Sequence, residues 1–252
     1  MENNSFAQSR YDKISFWLLI YAVNYAFFHI FPVFLNYEIK IRLMVADVFD
    51  ILTPFVMVFL IYKIYGILLS GTGGNSGSKT QPAAVIILIL GVITFVEGHG
   101  MHLSANAISR HLTSMKDSPL FALDYFFDET LGHILWDGGI ILLSIGLIVI
   151  AFNSDVLRIS NPKLPLTIFA SLLYGFTYFC NGVEGQTVIF TFPLALIIPS
   201  AIWWLVHRRH IQLLKNPVLS FYFFTYILAL CLFIFWGIWH NGFPEFSALG
   251  WI

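Results

Sequence analysis

The chain has 252 residues, of which 58% are hydrophobic, 17% aromatic and only 11% charged, with a mean hydropathy of +0.79. A soluble domain carries about a quarter charged residues, so the composition excludes an ordinary soluble enzyme and indicates an integral membrane protein. The formal net charge of −1 offers no basic surface for nucleic acid.

A helix needs roughly 20 apolar residues to cross a bilayer core. Seven stretches meet that length, at about 15–37, 45–70, 82–107, 121–152, 164–183, 187–207 and 217–240. They predict an all-α polytopic bundle of seven transmembrane helices, a single domain over 1–252 whose partner is the lipid bilayer. Met1 to Lys13 is polar, and the run after it is long enough to span rather than be cleaved as a signal peptide. Between spans, SGTGGNSGSKTQP (70–82) reads as a flexible linker and SNPKLP (160–165) as a Pro-punctuated turn. Cys180 and Cys231 both fall inside apolar spans, which argues for space-filling rather than a disulfide.

Orientation follows from the basic residues. Arg10, Lys13, Lys63, Lys79, Arg158, Lys163, Arg208, Arg209 and Lys215 fall on the N-terminal face, against Lys40, Arg42, Arg110 and Lys116 on the other. The N-terminus is therefore expected in the cytoplasm and the C-terminus outside. The acids divide the opposite way. Only Glu2, Asp12 and Asp155 lie on the N-terminal face, so carboxylates crowd the extracytoplasmic half.

In that half the polar residues meet. The third span ends in VEGHGMHLSAN, with Glu97, His99, His102 and Asn106. The fourth enters through DYFFDETLGHILWDGG, where Glu129, His133 and Asp137 repeat at i, i+4, i+8 and share a helical face. The fifth carries Tyr178, Asn181 and Glu184 on one ridge, and the seventh ends at His240. Gly98, Gly100, Gly132, Gly138, Gly139, Gly182, Gly185, Gly237 and Gly242 would let these helices approach closely.

Ionisable residues inside a membrane are expensive, so each is a functional hypothesis. Imidazoles and carboxylates delivered by rigid helices suit a divalent metal, and three histidines with an open position suit catalytic zinc. His102, His133 and His240 are the expected metal ligands, with Asp137 or Glu184 completing the set. Glu97 and Glu129 are the expected catalytic carboxylates. The metal expected first is zinc, with iron or copper as alternatives, and the reaction expected is hydrolysis of a lipid or other amphiphile by metal-activated water. Two alternatives compete: a cation- or proton-binding transporter or receptor, and a redox protein with iron or haem. A transporter needs polar residues in the inner halves of the helices, where the sequence offers little beyond Asn24, Tyr62, Lys63 and Tyr65.

Other polar residues read as structural. Asp124 and Asp128 suit the N-terminal end of the fourth helix, where negative charge is stabilised. Asp47 does the same for the second helix, and Asp50, one turn deeper, could extend the cluster. His29 reads as a core histidine. His111, His207 and His210 read as loop residues at the membrane surface, and Trp203, Trp204 and Trp251 as lipid-facing packing or interface belts.

Seven helices with histidine and acid near the end of the last one resemble the transmembrane hydrolase superfamily of alkaline ceramidases and adiponectin receptors. That resemblance implies a zinc-dependent amidase acting on lipids. Its motifs depart here. The superfamily's His-x-x-x-His pair on the last helix has Trp236 and Pro244 flanking His240, and the second helix, expected to carry Ser-x-x-x-His, has no histidine.

Overall fold

The structure, a computed structural model, describes residues 2–35, 37–39, 43–70, 80–154, 162 and 164–251. Lys40, Arg42, Lys79, Asp155, Arg158, Lys163 and most of the Gly/Ser linker lie outside the described residues.

Among the described residues, seven helical segments are long and apolar enough to cross a membrane. The first helix, α1, runs over Glu2–Ile30 and begins earlier than its apolar run, because the polar Glu2 to Lys13 segment joins the helix. It closes in a 3₁₀ turn at Phe31–Phe34, with Pro32 at the start of that turn. A two-residue antiparallel pair, β1 (Glu38–Ile39) with β2 (Leu43–Met44), is an exception to the all-α expectation. Then come α2 (Val45–Leu69) and α3 (Thr80–Ser109). The fourth span is broken: a short α4 (Pro119–Tyr125), a π turn at Phe126–Gly132, and α5 (His133–Asn153). Three more helices complete the bundle, α6 (Leu164–Glu184), α7 (Val188–Arg208) and α8 (Pro217–His240).

Helix ends are fixed by local chemistry. The Asn216 side chain accepts hydrogen bonds from the Val218 and Leu219 backbone N–H groups, ahead of Pro217 in the first turn of α8. Asp47 accepts from the Met44 backbone N–H and pairs with Arg110 at 2.6 Å, tying the start of α2 to the end of α3. Asp124 accepts from the Ser109 hydroxyl, so α4 is pinned to the same end. Asp47 thus caps the start of α2, as its position suggests, whereas Asp124 lies in the last turn of α4 rather than at its N-terminal end and holds the end of α3 through Ser109.

The closest seam lies between α3 and α5. A methyl group at Gly139 would sit 2.6 Å from the Phe95 Cα, and one at Gly98 would overlap the Trp136 backbone. Only glycine permits that approach of two backbones. Gly100, Gly138 and Gly242 face open space instead. On the other side, α6 packs between α1 and α8, with α7 outside α8. The core between them holds Tyr21, Tyr25, Tyr174, Tyr178, Tyr222 and Tyr226, each buried. Tyr21 and Tyr174 share a hydroxyl hydrogen bond of 3.1 Å, and Tyr178 donates to the Thr191 carbonyl. The bundle interior is thus more hydroxyl-rich than the sparse inner-half polarity read from the sequence.

This succession places the C-terminal ends of α1, α3, α6 and α8 and the start of α5 at one end of the bundle. That end is opposite the N-terminus.

Candidate functional site

At that end a cavity of about 630 Å³ opens. His102, Glu129, His133, Asp137 and Glu184 all line it, so five of the seven residues singled out in the sequence converge.

The cluster is organised by the π turn. A π turn carries one residue more per hydrogen-bonded ring than an α turn, so it changes which residues share a face. His102 Nδ1 pairs with Asp128 at 2.8 Å, and its ring packs edge-on against His133 at 4.8 Å between centroids. His133 Nε2 lies 3.6 Å from the Glu129 carboxylate, too far for a normal hydrogen bond. The His133 ring stacks almost parallel on Trp136. Deeper in, Asp137 is buried and accepts a hydrogen bond from the Thr187 hydroxyl.

The opposite wall is built by α1 and α6. Trp136 Nε1 donates to His29 Nε2 at 3.1 Å, and an indole N–H can only donate. His29 Nε2 is therefore the bare nitrogen, and Nδ1–H donates to the Tyr25 carbonyl at 2.7 Å. This fixes one neutral tautomer of a histidine that forms part of the cavity wall. Asn181 donates to the Tyr25 hydroxyl at 3.0 Å, linking the cavity to the tyrosine core.

A third wall comes from the segment after α8. Asn241 adopts a left-handed conformation, ending the helix. The chain then folds back so that Glu245, Phe246 and Trp251 line the cavity. One carboxylate oxygen of Glu184 accepts from the Phe246 and Ser247 backbone N–H groups, at 2.8 and 3.3 Å. Trp236 Nε1 donates to the Pro244 carbonyl, and its ring meets Phe246 and Trp251. Partial burial, and then the facing Glu184 carboxylate, raise the Glu245 carboxyl above its ordinary range.

Two predicted residues stand apart from the five. Glu97 is exposed on the outer surface of α3. His240 is wedged among Trp236, Trp239 and Trp251 and does not line the cavity. Trp251, expected in an interface belt, is instead a cavity residue, and Cys180 lines the cavity too. Residues missed from the sequence include Asp128, Trp136 and Glu245.

Comparison with known proteins gives two relatives. Over 216 residues the chain is 26% identical to the ceroid-lipofuscinosis neuronal protein 6 homolog of Canis lupus familiaris, covering 76% of this chain and 61% of the relative. Over 219 residues it is 24% identical to ceroid-lipofuscinosis neuronal protein 6 of Homo sapiens, with the same coverage of each. The chain thus spans about three fifths of the length of the curated relatives it matches. No family model matches the chain, and no solved structure matches it.

These findings overturn the metal-dependent hydrolase. Among the described residues no three His, Cys, Asp or Glu are grouped so as to hold a metal ion. The geometry is consistent with this: a backbone strap occupies one oxygen of Glu184, and His240 sits outside the cavity. Nor does either relative's name describe a metalloenzyme or a hydrolase.

Proposed function

We propose that the protein binds, in this membrane-embedded cavity, an amphiphile whose head group is an amine. The supporting observation is the charge balance of the cavity wall. Glu129, Asp137, Glu184 and Glu245 line it, and among the described residues no Lys or Arg does. His102 is already paired with Asp128.

The rest of the wall suits the same ligand. Trp136, Trp236 and Trp251 offer aromatic faces, which attract an ammonium group through the ring quadrupole. Phe176, Phe179 and Phe235 provide the apolar length that a hydrocarbon chain fills. A primary ammonium has three donors, so it can pair with one carboxylate of this wall and still bond other acceptors. In a low-dielectric site such charge-assisted hydrogen bonds are the strong ones.

The positive-inside distribution supports a cytoplasmic N-terminus, with the cavity opening towards the extracytoplasmic side and drawing its ligand from that leaflet. Blocking by an impermeant thiol reagent of a cysteine introduced at exposed Lys116 checks this orientation in sealed vesicles.

The ligand class is tested by native mass spectrometry of the detergent-released protein with equimolar dodecylamine, dodecanol and dodecanoate. One equivalent of the amine, retained above the other two, is expected. Equal retention of all three, or preference for dodecanoate, refutes the reading.

A further inference from the structure

A second concavity lies on the outside of the bundle, between α2 and α3. It is a groove of about 660 Å³, lined by Ile51, Phe55, Phe59, Tyr62, Val92 and Val96 among others. Phe55 is 72% exposed and Tyr62 66%, on a helix apolar enough to cross the membrane. Hydrocarbon chains would cover such a face in any membrane.

One end of the groove is different. His99 lines it and is 1% exposed, yet neither ring nitrogen has a hydrogen-bond partner among the described residues. Its neighbours are the rings of Phe95, Trp136 and His29, at 4.9, 3.9 and 5.7 Å between centroids. A neutral imidazole offers one donor and one acceptor, and leaving both unmet in an apolar site is costly.

Asp50 and Pro54 line the same groove. Pro54 lacks an N–H, so the Asp50 carbonyl four residues earlier is deprived of its ordinary helical donor. The groove end thus presents the Asp50 carboxylate, a helix carbonyl without its usual partner, and an unpartnered imidazole. Most of these positions call for a donor, and one calls for an acceptor.

We infer that this groove is a binding site for a neutral membrane lipid bearing a hydroxyl or secondary amide next to its chains. Such a group donates and accepts at once, meeting the requirements of both Asp50 and the imidazole. A phospholipid's ester carbonyls only accept, and its phosphate would face Asp50. Among the described residues no Lys or Arg lines the groove. Arg110, near the end of α3, is close enough to act on Asp50 but is itself paired with Asp47, and the nearest such residue on α2, Lys63, sits over the Phe59 ring. It is 13 residues from Asp50, about 20 Å along the helix at 1.5 Å per residue. The inference stands on different residues from the amine cavity and does not depend on it.

The test uses the full chain in phosphatidylcholine nanodiscs doped with either a diazirine-bearing diacylglycerol or a diazirine-bearing phosphatidylcholine. After irradiation, adducts are mapped by peptide mass spectrometry. Diacylglycerol adducts are expected on the 51–62 and 92–103 segments, competed by unlabelled diacylglycerol, and lowered about fivefold to tenfold in His99→Phe, as one lost hydrogen bond implies. Asp50→Asn keeps the acceptor carbonyl and is expected to fall less. Val96→Trp, on the exposed rim, should block the groove without touching the buried ring, which covers the case in which His99→Phe does not fold. Equal labelling by both lipids, or diacylglycerol labelling unchanged by Val96→Trp and Asp50→Asn together, overturns the inference.

Discussion

Helices α3 and α5 behave differently at their two ends. Along their shared length they are pressed together through Gly98 and Gly139, with Phe95 and Leu143 filling the seam. Where α3 approaches its end and the π turn leads into α5, the same pair carries His102, Glu129 and His133 around an open cavity, with Asp128 paired to His102. The seam has close backbones and apolar side chains. At the cavity, polar atoms remain without partners, His133 Nε2 among them. The contrast shows how a membrane bundle supports an expensive cluster: a rigid apolar seam fixes the geometry, and the polar end departs from it through one irregular turn.

Changes at the two ends should therefore separate stability from binding. The largest effect is expected for Asp128→Ala, which leaves His102 without its partner. A buried pair broken on one side costs about 3 kcal/mol, read as a fall in thermal stability in detergent together with weaker amine binding. Gly139→Ala comes next, because overpacking against the Phe95 backbone costs about 2 kcal/mol. It should lower the unfolding temperature while leaving any folded fraction competent to bind. If Gly139→Ala is neutral, the seam is not as close as described.

Thr187→Val should have a smaller effect. It removes the hydroxyl that donates to Asp137, and about 1 kcal/mol is the usual worth of such a bond. Measured by chemical denaturation, a loss much larger than this would mean that Asp137 supports the fold rather than the cavity. Smallest of all is Glu97→Gln, expected within about 0.5 kcal/mol of the parent because the side chain is exposed. A large loss of binding on that substitution would show that α3 presents its other face to the ligand.

How much of this was legible follows from the same contrast. The spans could be read because length and hydropathy decide them in a bilayer; α8 begins and ends at the predicted 217 and 240. The five cavity residues could be read because buried acids and imidazoles are rare in such helices. Glu97 was grouped with them by proximity in sequence alone. At about 100° per residue, its five-residue offset from His102 turns it about 140° away, a signal that a helical projection would have given. Asp128 could not be found that way, since the α-helical period assigns it to the wrong face and nothing local announces a π turn. His240 was misplaced for a third reason. The segment after α8 folds back, and Trp236 with Trp251 encloses the imidazole. That return depends on Glu184 capturing two backbone N–H groups more than sixty residues away, a contact with no trace in sequence spacing.

The central claim, an acidic cavity that selects an amine head group, is tested most directly by ligand-induced stabilisation. A ligand that binds only the folded state raises its stability by RT ln(1 + c/Kd) at free concentration c, so the effect grows with the logarithm of that concentration. The account predicts that dodecylamine raises the unfolding temperature of the parent protein progressively with its concentration, that dodecanoate does not, and that Glu129→Gln with Glu184→Gln abolishes the difference while retaining hydrogen-bond acceptors at both positions. Equal stabilisation by the two amphiphiles, or a dodecylamine effect that survives the double substitution, would contradict it.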